Sequence, residues 1–404
     1  MAREKIITGI DIGTYSIKAL SAVQKNGSHN WEVLSSVETP SFGVRRGVVF
    51  DVEKVSKNIG ETVEKLKQET GHKIDSVYVN IEGSHIFSSP SRGSVIVSRA
   101  DKKISQEDVN RAIQAAQAFS LPSNNQILEV FAREFIVDGQ GQIKEPCDMQ
   151  GLKLETEILA LCAFSPYIKN LTNSVLNSGV HVADMVPSFL ASARAILTPQ
   201  QKELGVCLLD IGGGTTDFTV YQEGDLVHAA VFPIGSAHIT NDLAVGLKTD
   251  IELAEQIKQE FGSCLSKGSK KEKIDSGNGE TLIFSQKALV KIIEARVSEI
   301  FDLAQGELKK VLPDAVLPAG IVLTGGGVKL PRIVELAKKE LKLPIKIGTV
   351  QEEGFEGFTS NPAFSTVCGL VLGAGELDHK HFDSANSQKP SFNRLKKIFK
   401  IFIP

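Results

Sequence analysis

The stretch Val206-Cys-Leu-Leu-Asp210-Ile-Gly-Gly-Gly-Thr-Thr-Asp217-Phe-Thr-Val-Tyr221 reads as an apolar strand, a glycine turn and a returning strand. It decides the fold because the chain uses the same grammar about two hundred residues earlier. Residues 6–23 run from Ile6-Ile-Thr-Gly-Ile10 through Asp11-Ile-Gly-Thr14 into Ser16-Ile-Lys18-Ala-Leu-Ser-Ala-Val23, whose period-2 alternation predicts a strand of alternating faces. Two such hairpins predict a duplicated architecture whose halves face one cleft.

The turns have a direct chemical use. Glycine lets the backbone approach a ligand with its N–H groups pointing inward, and threonine adds a hydroxyl, which together make a nest for phosphate oxygens. An aspartate repels phosphate, so it fits there only with a cation between them, and Mg2+ keeps most of its waters when held this way. Asp11 and Asp210 are therefore expected to flank a metal-phosphate from opposite halves. A third cluster, Gly325-Gly-Gly327, follows the apolar run Ile321-Val-Leu-Thr324 and precedes Pro331 near an expected helix start; such a turn admits a flat ring or a phosphate close to the backbone. The chain has no G-x-x-x-x-G-K-[ST], no kinase glycine loop with its catalytic loop, and no dinucleotide fingerprint after the first strand, so the phosphate grip belongs to another class.

The rest of the 404 residues fits this frame. Strand and helix patterns alternate at residues 74–81, 105–119 and 321–341, as in α/β layers. Residues 83–164 predict a small inserted α+β unit: a strand near 93–97, a helix opened by the Ser105-x-x-Asp108 capping box, and strands near 127–137 and 152–161. Residues 236–309 predict a mainly helical insertion with an exposed polar loop at 266–280. Residues 376–390 are polar and aperiodic and predict a flexible linker reaching roughly 20 Å. The remaining segments, 1–82 with 165–205 and 206–235 with 310–375, are the two core halves.

The 45 Lys and Arg against 48 Asp and Glu give a formal charge of -3, so no global positive field draws the chain to nucleic acid. The five cysteines are scattered among apolar or small neighbours and predict reduced, mostly buried thiols of a cytosolic protein, and neither they nor the eight histidines have metal-ligand spacing. Neither a signal peptide nor an apolar run long enough to span a bilayer is read in the sequence.

Residues 391–404 form a different kind of element. On a helix, Phe392, Leu395, Ile398, Phe399, Phe402 and Ile403 share one arc, opposite Arg394, Lys396, Lys397 and Lys400, with Ile401 out of place. The four tail charges leave the preceding residues at a formal -7, four below the whole chain's -3. That asymmetry fits a short helix lying on anionic lipid, its apolar arc inserted and its basic side chains snorkelling to headgroups. At about 1 kcal/mol per basic residue the charges supply ~4 kcal/mol, a weak anchor that strengthens when many tails sit on one polymer.

With the three turns in hand, the chain resembles the actin/Hsp70/hexokinase ATPase superfamily, and within it the FtsA family of bacterial cell-division proteins. The closer resemblance rests on Ser41-Phe-Gly-Val-Arg-Arg-Gly-Val48, Ile104-Ser-Gln-Glu-Asp-Val-Asn-Arg-Ala-Ile113, Glu203-Leu-Gly-Val206 with Asp210-Ile-Gly-Gly-Gly-Thr-Thr-Asp217, Ile239-Thr-Asn-Asp-Leu-Ala244 and Ala254-Glu-Gln-Ile-Lys258, and it covers essentially the full chain. It implies an actin-like duplicated ATPase fold with a two-lobed nucleotide cleft for ATP and Mg2+. Asp11, Gly13, Thr14, Tyr15 and Lys18 would line the first phosphate loop, and Gly212, Gly213, Gly214 and Thr215 the second. Glu255 and Lys258 would reach the ribose and base, though three-residue spacing on a helix also suits a surface ion pair. Gly325, Gly326 and Gly327 would hold the adenosine side. The inserted unit at 83–164 would serve self-association and contacts with later division proteins, and the helical insertion would bind the tubulin-like FtsZ, at the cytoplasmic face of the membrane at the septum. For ordering a water in line with a terminal phosphate, residues 183–188 offer Asp184 and Ser188. A small-molecule kinase or phosphatase, or an actin-like pilus-assembly protein, would share the fold but leave the tail without a use.

Overall fold

The computed structural model describes residues 5–25, 31–266, 268, 270–275, 281–312 and 317–384. The chain opens with the meander β1 (Lys5–Ile12), β2 (Ser16–Gln24) and β3 (Trp31–Pro40), a two-residue ribbon β4 (Val44–Arg45) and β5 (Val48–Val49), helix α1 (Val52–Thr70) and strand β6 (Ser76–Ile81). Next come β7 (Phe87–Ile96), α2 (Gln106–Ala116), β8 (Asn125–Val137), β9 (Gln140–Ile143) and β10 (Lys153–Phe164). Helix α3 (Ser165–Asn177), β11 (His181–Pro187), α4 (Ser188–Ile196) and α5 (Pro199–Leu204) lead to a second meander, β12 (Val206–Ile211), β13 (Thr216–Gln222) and β14 (Asp225–Phe232). Helices α6 (Ser236–Leu247) and α7 (Ile251–Phe261), ribbon β15 (Lys271–Asp275) and β16 (Thr281–Ser285), and helix α8 (Gln286–Val311) precede β17 (Ile321–Thr324), α9 (Ile333–Leu341), β18 (Ile345–Ile347) and α10 (Ser365–Ser384).

The duplication is visible in strand order. One five-stranded sheet runs β11-β6-β1-β2-β3, and the other β18-β17-β12-β13-β14, each an antiparallel meander continued by two parallel strands. Thus β1 corresponds to β12, β2 to β13 and β6 to β17. One apolar core runs from the first sheet through α1, α4 and α10 onto one face of the second sheet at Val206, Leu208 and Val322, a second packs the other face of that sheet against α6 to α9, and α4 and α10 pack together.

The inserted unit is a separate four-stranded sheet, β7-β10-β8-β9, with its own core around Phe135, Leu154 and Ile158. Ser105 caps α2 in a reciprocal box: its hydroxyl accepts the Asp108 N–H, and the Asp108 carboxylate accepts the Ser105 N–H at 2.9 Å. Gly93 lets the helix lie directly on β7, because a side-chain carbon there would fall 2.2 Å from the Ala116 nitrogen. His85 ties the two roots of the insertion together. Its Nδ1 accepts the Phe164 N–H at 3.3 Å, so its Nε2 carries the proton and donates to the Glu82 carbonyl at 3.1 Å. Burial, opposed by the hydrogen bond to Glu82, lowers the ring's pKa to about 4, which agrees with a neutral imidazole.

Three expectations change. Strand β2 alternates in sequence, yet Ser16 to Val23 are buried on both faces, because helices α1 and α10 both pack against it. Its polar residues are matched internally: Ser21 shares a 2.8 Å hydrogen bond with Thr8, and Lys18 pairs with Asp11. Part of the loop expected at 266–280 is the ribbon strand β15, paired with β16. The segment expected to be linker from 376 instead continues the α10 backbone to Ser384. Residues 376–384 hold no Gly or Pro, so a helix already nucleated on the buried core propagates through them. The ten residues read as membrane-binding, Phe392 to Ile403, lie outside the described residues.

Candidate functional site

A cavity of about 470 Å3 lies between the two lobes, within the range of small-molecule sites. Asp11, Gly13, Thr14, Tyr15 and Lys18 line it from the first hairpin; Asp210, Gly212, Gly213, Gly214 and Thr215 from the second; Glu255 and Lys258 from α7; and Gly325, Gly326 and Gly327 from the end of β17. The structure thus brings together every residue read as a phosphate, nucleoside or metal contact. Ser188 also lines the cavity, whereas Asp184 sits on β11 away from it.

The two turns close alike. Gly13 N–H donates to Ser16 O at 3.2 Å, and Gly212 N–H to Thr215 O at 2.9 Å. Their tips touch: a side-chain carbon at Gly214 would fall 2.6 Å from Thr14 Oγ1, and one at Gly213 would fall 2.9 Å from Tyr15 Cβ. The N-terminus of α6 pins the second turn through Ser236 N–H to Gly212 O at 2.9 Å and Ala237 N–H to Gly213 O at 2.8 Å. Gly325 adopts φ +87°, and a side-chain carbon there would stand 2.2 Å from Asp210 Oδ1. Only glycine combines that conformation with that approach.

Charge is the site's second property. Asp11 and Lys18 face each other in the β1–β2 register, with Lys18 Nζ 3.5 Å from Asp11 Oδ2, and Asn80 Nδ2 donates to Asp11 Oδ1 at 2.9 Å. In the second hairpin the same register pairs Asp210 with Asp217. Ser192 donates to Asp210 at 2.5 Å. Asp217 Oδ1 is buried without a hydrogen-bond partner among the described residues. Glu82, immediately after β6, accepts the Thr215 hydroxyl. Burial pushes Asp210 up to about 6 against the Ser192 hydrogen bond, with Asp11 adding to the rise. Burial also raises Asp217 well above the usual carboxylate range, aided by Glu82 and Asp210, and lifts Glu82 to about 7 against the Thr215 bond. Asp11 is raised by burial, with Lys18 opposing.

Three buried acids, Asp11, Asp210 and Asp217, and the half-buried Glu82 therefore share one cleft with Lys18, while Lys258 is committed elsewhere. Its amine lies 2.6 Å from Glu255 Oε2 and 2.8 Å from Thr240 Oγ1. The Glu255–Lys258 pair is thus a half-buried clamp between α6 and α7 rather than a surface pair. Burial alone would raise Glu255, but hydrogen bonds from Lys258 and Thr240 outweigh it and hold the group below its ordinary value. No cluster of three or more His, Cys, Asp or Glu is arranged to cage a metal among the described residues. A Mg2+ carried on phosphate needs no such cage, since one or two carboxylates and water suffice. The surplus of buried carboxylates and the unpartnered Asp217 oxygen fit a cation brought in with an anionic ligand.

Sequence reading missed Glu82, Asn80, Asp217 and Ser192. Asp217 had a signal, its register opposite Asp210 across the turn, and Asn80 is the polar residue of an otherwise apolar strand end. Glu82 and Ser192 come from elements distant in sequence and carry no local signature.

Two matched sheets closing a glycine-lined acidic cleft define an actin-like fold. Solved structures agree: the chain is similar to a PilM-PilN type IV pilus biogenesis complex (TM-score 0.65, 14% identity, 91% of this chain and 98% of that one). It is likewise similar to MreB5 of Spiroplasma citri bound to AMPPNP (TM-score 0.55, 14% identity, 94% and 99% covered). Family models described as cell division protein FtsA and as the SHS2 domain inserted in FtsA match residues 207–369 and 83–162. The FtsA proteins of Pseudomonas aeruginosa and Neisseria meningitidis are each 36% identical to it, over 91% and 93% of this chain and 89% and 92% of their own lengths. That of Escherichia coli K12 is 30% identical over 91% of this chain and 90% of its own. The chain belongs to the FtsA family of cell-division proteins.

Proposed function

We propose that this protein binds Mg2+-ATP in the interlobe cleft, self-associates on the cytoplasmic face of the membrane at the septum, and anchors FtsZ filaments there. The observation that carries the nucleotide reading is the convergence of three glycine turns, two strand-end aspartates and Lys18 on one cavity. An MreB5 structure with AMPPNP, of similar fold, supports it. The backbone of residues 13–15 and 212–215 would hold phosphates, Lys18 would neutralise one of them, and Asp11 and Asp210 would hold Mg2+ through water. The α7 pair Glu255 and Lys258 and residues 325–327 would hold the nucleoside. When bound, Mg2+ would supply positive charge beside the buried carboxylates and ATP a ligand common to both lobes. By joining the lobes it biases the surfaces used in assembly. Residues 83–164 would serve self-association and later division proteins, and residues 236–309 FtsZ.

The tail at 391–404 supports membrane attachment through its segregated apolar and basic residues. No helix among the described residues is long and apolar enough to cross a membrane. Co-sedimentation with anionic vesicles tests the reading, comparing the full chain with one ending at Pro390, with Mg2+-ATP and without nucleotide. The full chain should pellet, more so with ATP, and the truncated chain should stay in solution. Equal pelleting of both, or of neither, overturns it.

A further inference from the structure

Glu82 belongs to the first lobe and Thr215 to the second, and their hydrogen bond crosses the cleft. The carboxylate is enclosed on both sides. A side-chain carbon at Gly47 would lie 3.0 Å from Glu82 Cγ, and one at Gly212 would lie 3.8 Å from Glu82 Oε1. Asp11 and Asp210 act on it electrostatically from the same cavity, with Lys18 opposing them. The duplicated sheets show that this carboxylate is an addition. Gly9 and Ile10 pair with Tyr78 and Val79, which sets Asp11 beside Asn80, just as Asp210 pairs with Thr324. Two residues further along each strand stand Glu82 in the first lobe and Gly326 in the second. One lobe leaves the space beyond its strand end open, and the other puts an anion there, bonded to the hydroxyl of the opposing phosphate turn. A carboxylate and a phosphate offer the same acceptor chemistry to a hydroxyl, but as like charges in a desolvated cleft they cannot share it cheaply.

We propose that Glu82 is an internal stand-in for the terminal phosphate of a nucleoside triphosphate: its carboxylate accepts the Thr215 hydroxyl and yields it to a phosphate oxygen when a triphosphate binds. This rests on the cleft being the nucleotide site. It makes Glu82 a specificity-determining residue, because a triphosphate must break the Glu82–Thr215 bond and meet the carboxylate, whereas a diphosphate leaves both undisturbed. The sign is the opposite of a ligand role, in which Glu82 would hold the nucleotide's cation and its loss would weaken triphosphate binding.

The test is titration calorimetry at pH 8, where Glu82 is ionised, on the full-length chain and its E82A and E82Q variants with Mg2+-AMPPNP and with Mg2+-ADP. Removing the carboxylate should tighten AMPPNP binding about tenfold while ADP stays within about twofold. E82Q, which keeps an acceptor for Thr215 without the charge, should fall between, about threefold, and decides the matter where E82A fails to fold. Selective loss of AMPPNP affinity overturns the stand-in role in favour of a cation ligand. Equal shifts for both nucleotides, or none for either, overturn it as well. If the unmodified chain binds neither nucleotide, the nucleotide reading of the cleft falls first and the role of Glu82 with it.

Discussion

The two hairpins share a backbone and differ in charge at one register position. In β1–β2 the residue opposite the strand-end aspartate is Lys18, 3.5 Å from Asp11. In β12–β13 it is Asp217, opposite Asp210. The first hairpin neutralises itself and retains an amine for an anion. The second holds two like charges in a buried sheet, with one oxygen unpartnered among the described residues, a costly arrangement without a cation. The two equivalent turns therefore differ in charge at this one position, and on the proposed reading the first lobe would add an amine for a phosphate and the second a further carboxylate facing the cation.

The largest effect should come from Lys18→Ala, which erases the difference by making the first hairpin acidic too. Four carboxylates would then face an incoming phosphate with Lys18 gone, and Mg2+-ATP affinity should fall about a hundredfold in calorimetric titration. A loss below about threefold would show that Lys18 serves only the fold. Asp210→Ala is next: Mg2+-ATP binding should weaken about tenfold, and the difference between titrations with Mg2+ and with EDTA should shrink. Unchanged affinity would move the metal to the first lobe and undo the division of labour.

What sequence could and could not show follows the same line. A strand-end Asp with Gly and Thr in the turn is local chemistry, and all three glycine clusters meet in the cleft. The burial of β2 was not local: its alternation of Ser16, Lys18 and Ser21 with apolar neighbours looks like a solvent-facing strand until α10, about 350 residues later in the chain, packs against it beside α1. Glu82 enters the site only because β6 lies beside β1, and Ser192 only because α4 passes behind Asp210. The inserted sheet was legible through the Ser105 and Asp108 box, whose reciprocal bonds need nothing beyond four consecutive residues. The helix beyond Gly375 was not, because polar composition says little about a segment propagated from a buried start.

The effect read on the protein alone is the most diagnostic of the acidic half. Burial holds Asp210 at about 6 against an ordinary 3.8, and Glu82 at about 7 against 4.5. A carboxyl whose pKa is raised on folding binds its proton more tightly in the native state, so its contribution is present in full below about pH 4 and lost as pH rises through 6 to 7. Without nucleotide the protein should therefore lose roughly 4 kcal/mol of unfolding free energy between pH 5 and pH 8, measured by urea denaturation at each pH. Asp217→Asn, which removes the second hairpin's extra charge and leaves the first untouched, should flatten that slope. Lys18→Ala should steepen it, because the carboxylates would lose the amine that opposes their rise. If both variants left the slope unchanged, the pH dependence would belong to groups outside the cleft, and the charge difference between the hairpins would have no energetic consequence in the empty protein.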